Sequence, residues 1–550
     1  MNTPASITTT LAGDAALFAS VVSTAAPSIN GDYNYTTDYV HSDLEEGLDE
    51  RINKKLDEKN ATSPVDDDND ADIVSWDGPA DPECPRNWKP LRKFFFTGIT
   101  SSVILAVSFG SSVFAPATAV TAAQFGVRPV VMQLSVTLWI LGLAAGPILF
   151  GPLSEVFGHL IPFSVTVIGL AVFQLPIALG TNVPTILVGR FLAGAFGSGS
   201  YAIVSGQYYE LYEPTLRGVA MALSSTCINL GATIAPIAGA CLTYSSHKGW
   251  AWTAWTTLII TAGLGVAALF GVRESSSRRI LEGKARRLRV STRRWALHAK
   301  SEESAVELSD IANRYLTKPV RMFATEPILA ILTLYLTLVY GTLYLAFQAF
   351  PLAYRQRGWS ATASELPFLA VMLGIISACV LCSVFALTWY KSRVARASKE
   401  AAEVGGPAMG AGTSAPQPEW RLPPMALGAV ILPPALLWFG WSGGAHWASQ
   451  VVASYFIGLG LQLIFIAGIT YIVDVYQESA NSAMSIHVVV RSLVASSFPL
   501  FATAMYDRLG VAWASSVLGL LSLVMAPAPI LFWIYGSRIR SWSHFSPTPD

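Results

Sequence analysis

The chain has 550 residues, of which 52% are hydrophobic and 13% are charged, and its mean hydropathy is +0.46. This composition excludes a soluble globular protein, which does not need so much apolar surface, and indicates a protein that crosses a membrane several times. The 36 basic and 36 acidic residues cancel, but they are segregated along the chain, because residues 1–80 hold 16 of the acids and 4 of the bases.

The first element is an acidic tail, residues 1–80. Its acidic residues cluster at 43–50 and 66–72, and few apolar residues follow Val40. Such a segment cannot bury a core, so we predict a disordered tail on the cytosolic side. The first residues lack a basic region and contain Asp14, so we do not expect a signal peptide.

Twelve apolar stretches follow, and most approach the roughly 20 residues that a helix needs to cross a hydrocarbon core. We place spans 1 to 6 at 94–117, 131–150, 162–180, 186–208, 219–242 and 252–272, and spans 7 to 12 at 328–351, 366–389, 424–441, 449–473, 483–505 and 513–535. The predicted fold is therefore an all-α membrane protein with 12 transmembrane helices in two six-helix bundles. Such symmetry favours transport over a receptor or a membrane-embedded enzyme.

The predicted domains follow from these spans. An N-terminal bundle covers 81–272, and a cytosolic central loop covers 273–327. A C-terminal bundle covers 328–540 and contains a flexible loop at 390–422 between spans 8 and 9. Residues 541–550 form a second cytosolic tail. With both termini cytosolic, 25 Lys and Arg residues face the cytosol and five face outward, as the positive-inside rule requires.

A glycine-containing motif, GPLSEVFGH at 151–159, lies in the predicted cytosolic turn between spans 2 and 3. We expect Gly151 and Gly158 to allow close backbone approach and unusual dihedral angles, and Pro152 to end span 2. Glu155 is placed where its carboxylate can meet a base or a helix N-terminus. These residues therefore predict a tight turn in which Glu155 is placed to form an ion pair or to cap a helix.

Arg190 is the only ionised residue inside spans 1 to 6. A charge in the membrane interior is costly and is by default functional, so we favour a functional role. The alternative is a structural one, in which the guanidinium is paired with backbone carbonyl groups.

Span 5 contains three residues that predict close helix packing and a bend, namely Gly231, Pro236 and Gly239. Generic packing of small residues is the alternative to a specific conformational motif.

Span 7 carries Tyr340, Tyr344, Phe347 and Gln348 at helical spacing, so these side chains share one face. We interpret this face as the lining of a cavity for amphipathic or aromatic ligands. The alternative is that the rings pack in the core or at the membrane interface.

The second half contains two ionisable residues of interest. Asp474 ends span 10 on the cytosolic side, and Arg491 lies about two turns into span 11. A gating or coupling role and an interfacial salt bridge both remain open. His487 is interpreted as a hydrogen-bonded packing residue. Since no acid lies in the middle of a span, a polycation would find no partner there, and cargo that is neutral, aromatic or anionic is favoured.

Several stretches together resemble a known family. The motif at 151–159 and RFLAG at 190–194 resemble the major facilitator superfamily, and NLGATIAPIAGA at 229–240 resembles the antiporter signature of its drug-exporting members. Five further stretches resemble the fungal 12-span drug:proton antiporter branch of that superfamily. They are DPECPRNW at 81–88, PEWRLPP at 418–424, YIVDVY at 471–476, RSL at 491–493 and FPLF at 498–501. This resemblance covers about 81–540. It implies a conformational latch in the 2–3 turn, with Glu155 as a gating group and with His159 and Leu160 in place of a basic pair. It also implies proton coupling through Arg190, and the proton carrier is not assigned because no acid lies in the middle of a span.

We therefore predict a secondary active transporter that exports small organic molecules, such as a drug, toxin, secondary metabolite or organic acid, by proton antiport. The alternatives are an importer or uniporter of the same fold and, from another class, a membrane sensor that does not transport. The chain has no P-loop, zinc-spaced histidine pair or nucleophile elbow, so we expect neither an enzyme nor the use of ATP. The expected partners are a small-molecule substrate and the lipid bilayer, without nucleic acid, metal or bound cofactor. A monomer in the plasma membrane, energised by a proton gradient, is expected.

Overall fold

The computed structural model describes residues 72–245, 249–303, 317–403, 417–476, 479–541, 543 and 545. Almost all of the predicted N-terminal tail, part of the central loop, and the segment 404–416 lie outside these residues. The described residues from Ile73 onward form one compact unit. Apart from one isolated β-bridge between Ile73 and His298, the regular structure of the described residues is helical.

The first six spans follow the predicted order. Their helices are Pro90–Ser112, Pro129–Phe157, Leu160–Val172 continued by Gln174–Ala178, Val183–Leu211, Pro214–Ser245 and Gly249–Gly271. A short helix, Thr118–Phe125, follows span 1. Span 2 runs through Pro147 and Pro152 to Phe157, so the prediction that Pro152 ends this span is wrong. Membrane helices tolerate proline because neighbouring helices and nearby hydroxyl groups satisfy the freed backbone groups.

The second six spans begin at Pro327. Their helices are Pro327–Arg355, Phe368–Phe385, Pro423–Trp441, Trp447–Val475, Ala480–Ala495, Phe498–Met525 and Pro527–Arg540. Span 11 comprises Ala480–Ala495 and the first part of the next helix, which is interrupted at Gly510, where φ is 72° and ψ is 167°. Span 12 follows this glycine. Because of these breaks, eleven helices of the described residues are long and apolar enough to cross a membrane, although the fold has twelve spans.

The loop between spans 8 and 9 is more helical than predicted. Span 8 continues through a π-helical turn, Ala386–Tyr390, into the helix Lys391–Glu403. A 3-10 turn, Pro418–Arg421, precedes span 9. The expectation of a flexible loop over 390–422 is therefore wrong for its two ends. Its glycine- and alanine-rich middle is outside the described residues.

The N-terminal bundle begins with an ordered segment that we call the strap, residues 73–88. It packs on the connecting helix, Ser277–Thr292, which follows span 6. The backbone N–H of Val74 donates to the carbonyl of His298 over 2.8 Å, and Lys284 bonds to Asp77 at 2.7 Å and to Asp81 at 3.2 Å. The predicted boundary at residue 80 is thus too late, because the acidic residues after Ile73 have basic partners that are distant in the sequence.

The two bundles meet along two pairs of helices. Span 2 packs against span 11, and span 5 packs against span 8. Within the N-terminal bundle, span 5 approaches span 1 so closely that a Cβ on Gly231 would lie 2.3 Å from the Leu105 oxygen, and a Cβ on Gly239 would lie 2.1 Å from the Val113 oxygen. Pro236 lies inside the same helix. The predicted fold class, two bundles of six transmembrane helices, is confirmed.

Candidate functional site

A cavity of about 420 Å³ lies between the two bundles at the end that carries the 2–3 turn. We call it the inner cavity, since the sequence places this end in the cytosol. Spans 2, 4 and 5 line one side, and spans 10 and 11 line the other. Its charged lining residues are Glu155, Glu210, Arg217 and Arg278. Tyr209, which also lines it, is 48% exposed, so the cavity reaches the surface here.

A narrower cavity of about 60 Å³ continues from the inner cavity. The two share Glu155, His159, Asn481 and Met484 among their lining residues. The narrow part also reaches Tyr201 on span 4 and Val488 on span 11. Asn481, Met484 and Val488 are spaced by three and four residues, so they follow one face of span 11. The two cavities together form a path that leads along this face towards the middle of the membrane.

The opposite end of the two bundles, which we call the outer end, is held together by hydrogen bonds. Near the start of span 2, Gln133 Nε2 donates to Thr503 Oγ1 of span 11 over 2.8 Å. The end of span 7 meets the end of span 5, where Arg355 Nη2 donates to the Tyr244 hydroxyl over 3.3 Å. The bundles are therefore in contact at the outer end and separated by a cavity at the inner end. If the inner end lies in the cytosol, as the sequence predicts, this is an inward-facing arrangement.

Two further polar contacts join the bundles between these ends. Asn229 Nδ2 of span 5 donates to Gln462 Oε1 of span 10 over 2.5 Å, and Gln462 Nε2 donates to Thr226 Oγ1 over 3.0 Å. The hydroxyls of Ser111 on span 1 and Tyr344 on span 7 lie 2.9 Å apart. All five side chains are buried. The sequence-based prediction missed Gln462, although a glutamine in the middle of an apolar span is visible in the sequence.

Arg190 is 2% exposed and is held by backbone groups. Its Nε donates to the carbonyl of Ser135, its Nη1 to that of Gly110 and its Nη2 to that of Ser111, over 3.0, 2.6 and 2.9 Å. The guanidinium carbon also lies 4.4 Å from the ring centroid of Trp139. Arg190 thus joins spans 1, 2 and 4, and these contacts are those of the structural alternative, pairing with carbonyl groups.

The aromatic face of span 7 is closed in this conformation. Tyr340 and Tyr344 have their hydroxyls 3.2 Å apart and their rings in edge-to-face contact at 5.0 Å. Phe347 packs against Tyr344 at 5.1 Å, while Gln348 is only partly buried. None of the four is among the residues that line the two cavities described above. Their predicted contact with substrate therefore requires a rearrangement of these rings.

Arg491 is 1% exposed and lies beside that face. Its guanidinium is 4.4 Å from the ring centroid of Tyr340 and 5.2 Å from that of Phe465. Its Nε has no hydrogen-bond partner, and neither do the two ring nitrogens of His487, one turn earlier on span 11. The prediction that His487 is hydrogen-bonded is therefore wrong within the described residues.

Asp474 is paired with a residue that the sequence analysis did not connect to it. Its carboxylate accepts a hydrogen bond from Arg421 Nε, and both side chains are buried. Arg421 lies in the turn before span 9, outside the spans, and the Asp474 carboxylate together with the Tyr390 hydroxyl raises its pKa despite the cost of burial. Asp474 therefore forms a salt bridge, which was one of its two predicted roles. Arg491 is not part of it.

The turn between spans 2 and 3 is organised by Glu274, which sequence reasoning missed. The carboxylate of Glu274 accepts hydrogen bonds from the backbone N–H groups of His159 and Leu160, at 2.9 and 3.2 Å. It also accepts from Ser275 and Ser276 at 2.9 and 2.8 Å, so it caps both span 3 and the connecting helix. The signal was an acid followed by serines directly after span 6, a pattern typical of a helix N-terminus.

Two of the predicted glycines differ in their conformation. Gly158 ends span 2 with φ 81°, and a Cβ there would lie 2.5 Å from the Glu274 carboxylate, so its dihedral angle and its close contact are as expected. Its role in a conformational motif stays a prediction. Gly151 lies inside the helix with ordinary dihedral angles, so the prediction of an unusual conformation is wrong for it.

Burial lowers the pKa of His159, which favours a neutral ring beside the cavity.

Sequence comparison identifies relatives over most of the chain. A family model described as the Major Facilitator Superfamily matches residues 100–416. A citrinin biosynthesis cluster MFS transporter from Monascus ruber is 40% identical over 479 residues, covering 86% of this chain and 92% of that protein. An ascochitine biosynthesis cluster MFS transporter from Didymella fabae is 40% identical over 482 residues, covering 87% and 90%. An MFS-type transporter from Penicillium crustosum is 39% identical over 476 residues, covering 86% and 93%.

Structural comparison gives the same fold at low identity. The structure of the proton:xylose symporter XylE bound to 6-bromo-6-deoxy-D-glucose aligns with a TM-score of 0.58 and 13% identity, covering 82% of this chain and 96% of that one. The human organic anion transporter MFSD10 aligns with a TM-score of 0.54 and 16% identity, covering 80% and 100%. At such identities the likeness concerns the fold alone.

Proposed function

This chain belongs to the major facilitator superfamily, and we propose that it is an exporter, which moves a small organic molecule out of the cytosol. As a member of this family it is a multi-pass membrane transporter and not an enzyme. Export is supported by relatives whose names connect them with the biosynthesis clusters of citrinin and ascochitine. A cell that makes such a compound benefits from a route that removes it.

The observation that carries transport by alternating access is the inward-facing arrangement of the two bundles, whereas the outward direction is inferred from the relatives. The inner cavity of about 420 Å³ is large enough for a small organic molecule and reaches the predicted cytosolic surface. At the outer end the bundles are in contact, and the hydrogen bonds of Gln133 with Thr503 and of Arg355 with Tyr244 are among these contacts. Cargo loaded from the cytosol would leave outward after the bundles rock about the midplane.

We propose that proton entry drives this cycle. The predicted coupling residues are Arg190, Glu155, Asp474 and Arg491. Of these, Glu155 is the carboxylate that lines the inner cavity, whereas Asp474 is paired with Arg421. A carboxylate beside the cytosolic cavity can release a proton to the cytosol, which is the step an antiporter needs in its inward-facing state. The protein would act as a monomer in the plasma membrane with both termini in the cytosol.

Inside-out plasma-membrane vesicles provide the test, with citrinin as the probe because a relative is named for its cluster. An acidic vesicle interior should drive accumulation of citrinin without ATP, and a protonophore should abolish it. A Glu155→Gln variant should lose the response to the pH gradient, while Glu213→Gln, an exposed acid that does not line the cavity, should retain it.

The competing functions give different outcomes. An importer would accumulate the probe only in right-side-out vesicles, and a uniporter would equilibrate it regardless of the gradient. A sensor would bind the probe without flux. Any of these results with correctly inserted protein would contradict export by proton antiport.

A further inference from the structure

Arg491 differs from the other buried arginines of the described residues. Four arginines are less than 9% exposed, and they are Arg190, Arg421, Arg491 and Arg540. Arg190 has carbonyl partners, Arg421 has Asp474, and Arg540 donates to both oxygens of Glu419 at 2.7 and 3.1 Å. Within the described part of the chain, Arg491 has no oxygen partner, and the rings of Tyr340 and Phe465 are its observed contacts.

The histidine one turn before Arg491 also lacks partners, since both ring nitrogens of His487 are buried without a hydrogen bond to the described residues. The hydroxyl of Tyr201 is buried beside Ser108. His487 and Tyr201 are close enough to Arg491 to interact with it electrostatically, and Tyr201 also interacts with Tyr340. No acid of the described residues forms an ion pair with Arg491. A buried cation without a counter-ion is costly, and buried polar groups are normally bonded, so this cluster lacks an anionic, hydrogen-bonding partner.

The path from the cytosol leads to this cluster. The narrow cavity ends at Tyr201 and Val488. Arg491 lies three residues after Val488 on the same helix, and therefore on the same face one turn further in. A molecule that enters the inner cavity and follows span 11 would meet the Tyr201 hydroxyl first and the Arg491 guanidinium next.

We propose that Arg491 is the binding residue for an acidic aromatic cargo, whose carboxylate or phenolate supplies the missing counter-ion. This inference rests on the proposed transport function and names the substrate class of that site. The planar guanidinium offers paired N–H donors to a carboxylate, and Tyr201 and His487 offer further hydrogen bonds. The rings of Tyr340, Tyr344 and Phe465 provide an apolar wall against which the aromatic part of the cargo can stack. The predicted aromatic face of span 7 would then act together with Arg491.

The test compares two probes that differ in charge but share one ring system, 2-naphthoate and 2-naphthamide. Their binding to the purified full-length protein in lipid nanodiscs would be measured by isothermal titration calorimetry. The wild-type protein should bind the naphthoate at least about tenfold more tightly than the amide, since a charge-assisted hydrogen-bonded pair is involved. Arg491→Gln should remove this preference without changing the affinity for the amide. Arg491→Lys should keep part of it.

Two further variants make the result specific. Arg128→Gln removes the same charge from an exposed position on the outer side and should bind both probes as the wild type does. Tyr201→Phe removes only a hydroxyl, so it should fold even if the Arg491 variants do not, and it should weaken the naphthoate selectively. Equal binding of the two probes by the wild type, no binding of either, or equal weakening of both by Tyr201→Phe or Arg491→Gln would overturn the proposal.

Failure of this inference is distinguishable from failure of the proposed function. If citrinin accumulates in vesicles under a proton gradient while the naphthoate has no advantage over the amide, then export stands and the anionic site is wrong. If the naphthoate binds through Arg491 but no gradient drives flux, then the anionic site stands and proton-coupled export is wrong.

Discussion

Arg190 and Arg491 are both buried inside the membrane, but at the scale of single residues their surroundings differ. Each nitrogen of Arg190 donates to a carbonyl of span 1 or span 2, whereas the contacts of Arg491 are two aromatic rings. Hydrogen bonds to a charged group contribute more than neutral ones, so the first arginine is stabilised by its own protein. The sequence shows two intramembrane charges, and their partners distinguish their roles.

Arg190→Ala is the residue-scale prediction. Because it leaves the carbonyls of Gly110, Ser111 and Ser135 without their donor, it should lower the free energy of unfolding by about 2–4 kcal/mol. Efflux should also be lost, since Ser111 makes the hydrogen bond to Tyr344 that joins the bundles. Arg190→Lys should recover part of both, because a single ammonium reaches fewer carbonyls.

Thermal unfolding in detergent and flux per folded molecule separate the two effects of these variants. A normal flux with reduced stability would restrict Arg190 to packing. An unchanged stability would contradict the role of its three hydrogen bonds.

At the scale of elements, the strap and the connecting helix form a unit that the acidic composition of the N-terminal region conceals. Lys284, 8% exposed, bonds to Asp77 and Asp81, and Arg287 bonds to Glu83 at 2.9 Å. The N–H groups of Asp77 and Glu83 hold the pKa of Asp81 below its usual range. A lowered carboxyl pKa stabilises the folded state above the unfolded pKa, and this contribution is lost as the pH falls through the folded pKa.

Two truncations test this unit. Deleting residues 2–71 should leave both stability and flux unchanged, because that region has no apolar periodicity. Deleting residues 2–83 also removes Asp77 and Asp81, leaves Lys284 without these partners, and should lower the free energy of unfolding.

Lys284→Met is the matched point variant for the longer truncation, since it removes the buried charge together with the need for a partner. It should destabilise less than that truncation does. Loss of flux in a correctly inserted 2–71 truncation would show that the acidic tail does more than its composition indicates.

At the scale of the whole molecule, two bundles of similar construction touch at one end and part at the other. Polar contacts at the outer end include those of Gln133 with Thr503 and of Arg355 with Tyr244. Polar contacts of this kind exchange readily with water, so the outer end can open when the inner end closes. Further in, Asn229 and Gln462 hold the bundles together close to the hinge of such a motion.

Thiol accessibility tests this arrangement. With the five native cysteines replaced, Asn481→Cys in the inner cavity should react from the cytosolic side with a membrane-impermeant maleimide. A cysteine at Val136, which is 4% exposed and lies one turn after Gln133 on span 2, should be protected from reagent on the outer side. A saturating gradient with cargo should reverse both reactivities. If Val136→Cys reacts from the outer side without gradient or cargo, at a rate equal to that of Asn481→Cys from the cytosolic side, then the resting conformation is not inward-facing.

The sequence by itself determined that this protein crosses a lipid bilayer, that it is all-α, how many spans it has and how they divide into two bundles. These properties depend on composition and on local periodicity, which the chain carries in each segment separately. It also indicated that neighbouring groups approach the backbone of Gly158, Gly231 and Gly239 too closely for a side chain. The sequence did not determine where every span ends, as Pro152 shows. A proline usually ends or kinks a helix in water, but neighbouring helices in a membrane can satisfy the backbone groups that it leaves free.

Only the tertiary structure decided which charged and polar groups are paired. Glu274 with the 2–3 turn, Arg421 with Asp474, and Lys284 with Asp81 are separated by 53 to 203 residues, and no local pattern encodes such contacts. The same holds for Arg491, whose importance comes from the partners it lacks. Electrostatic interactions in a low-dielectric interior depend steeply on distance and burial, and those quantities exist only once the helices have packed.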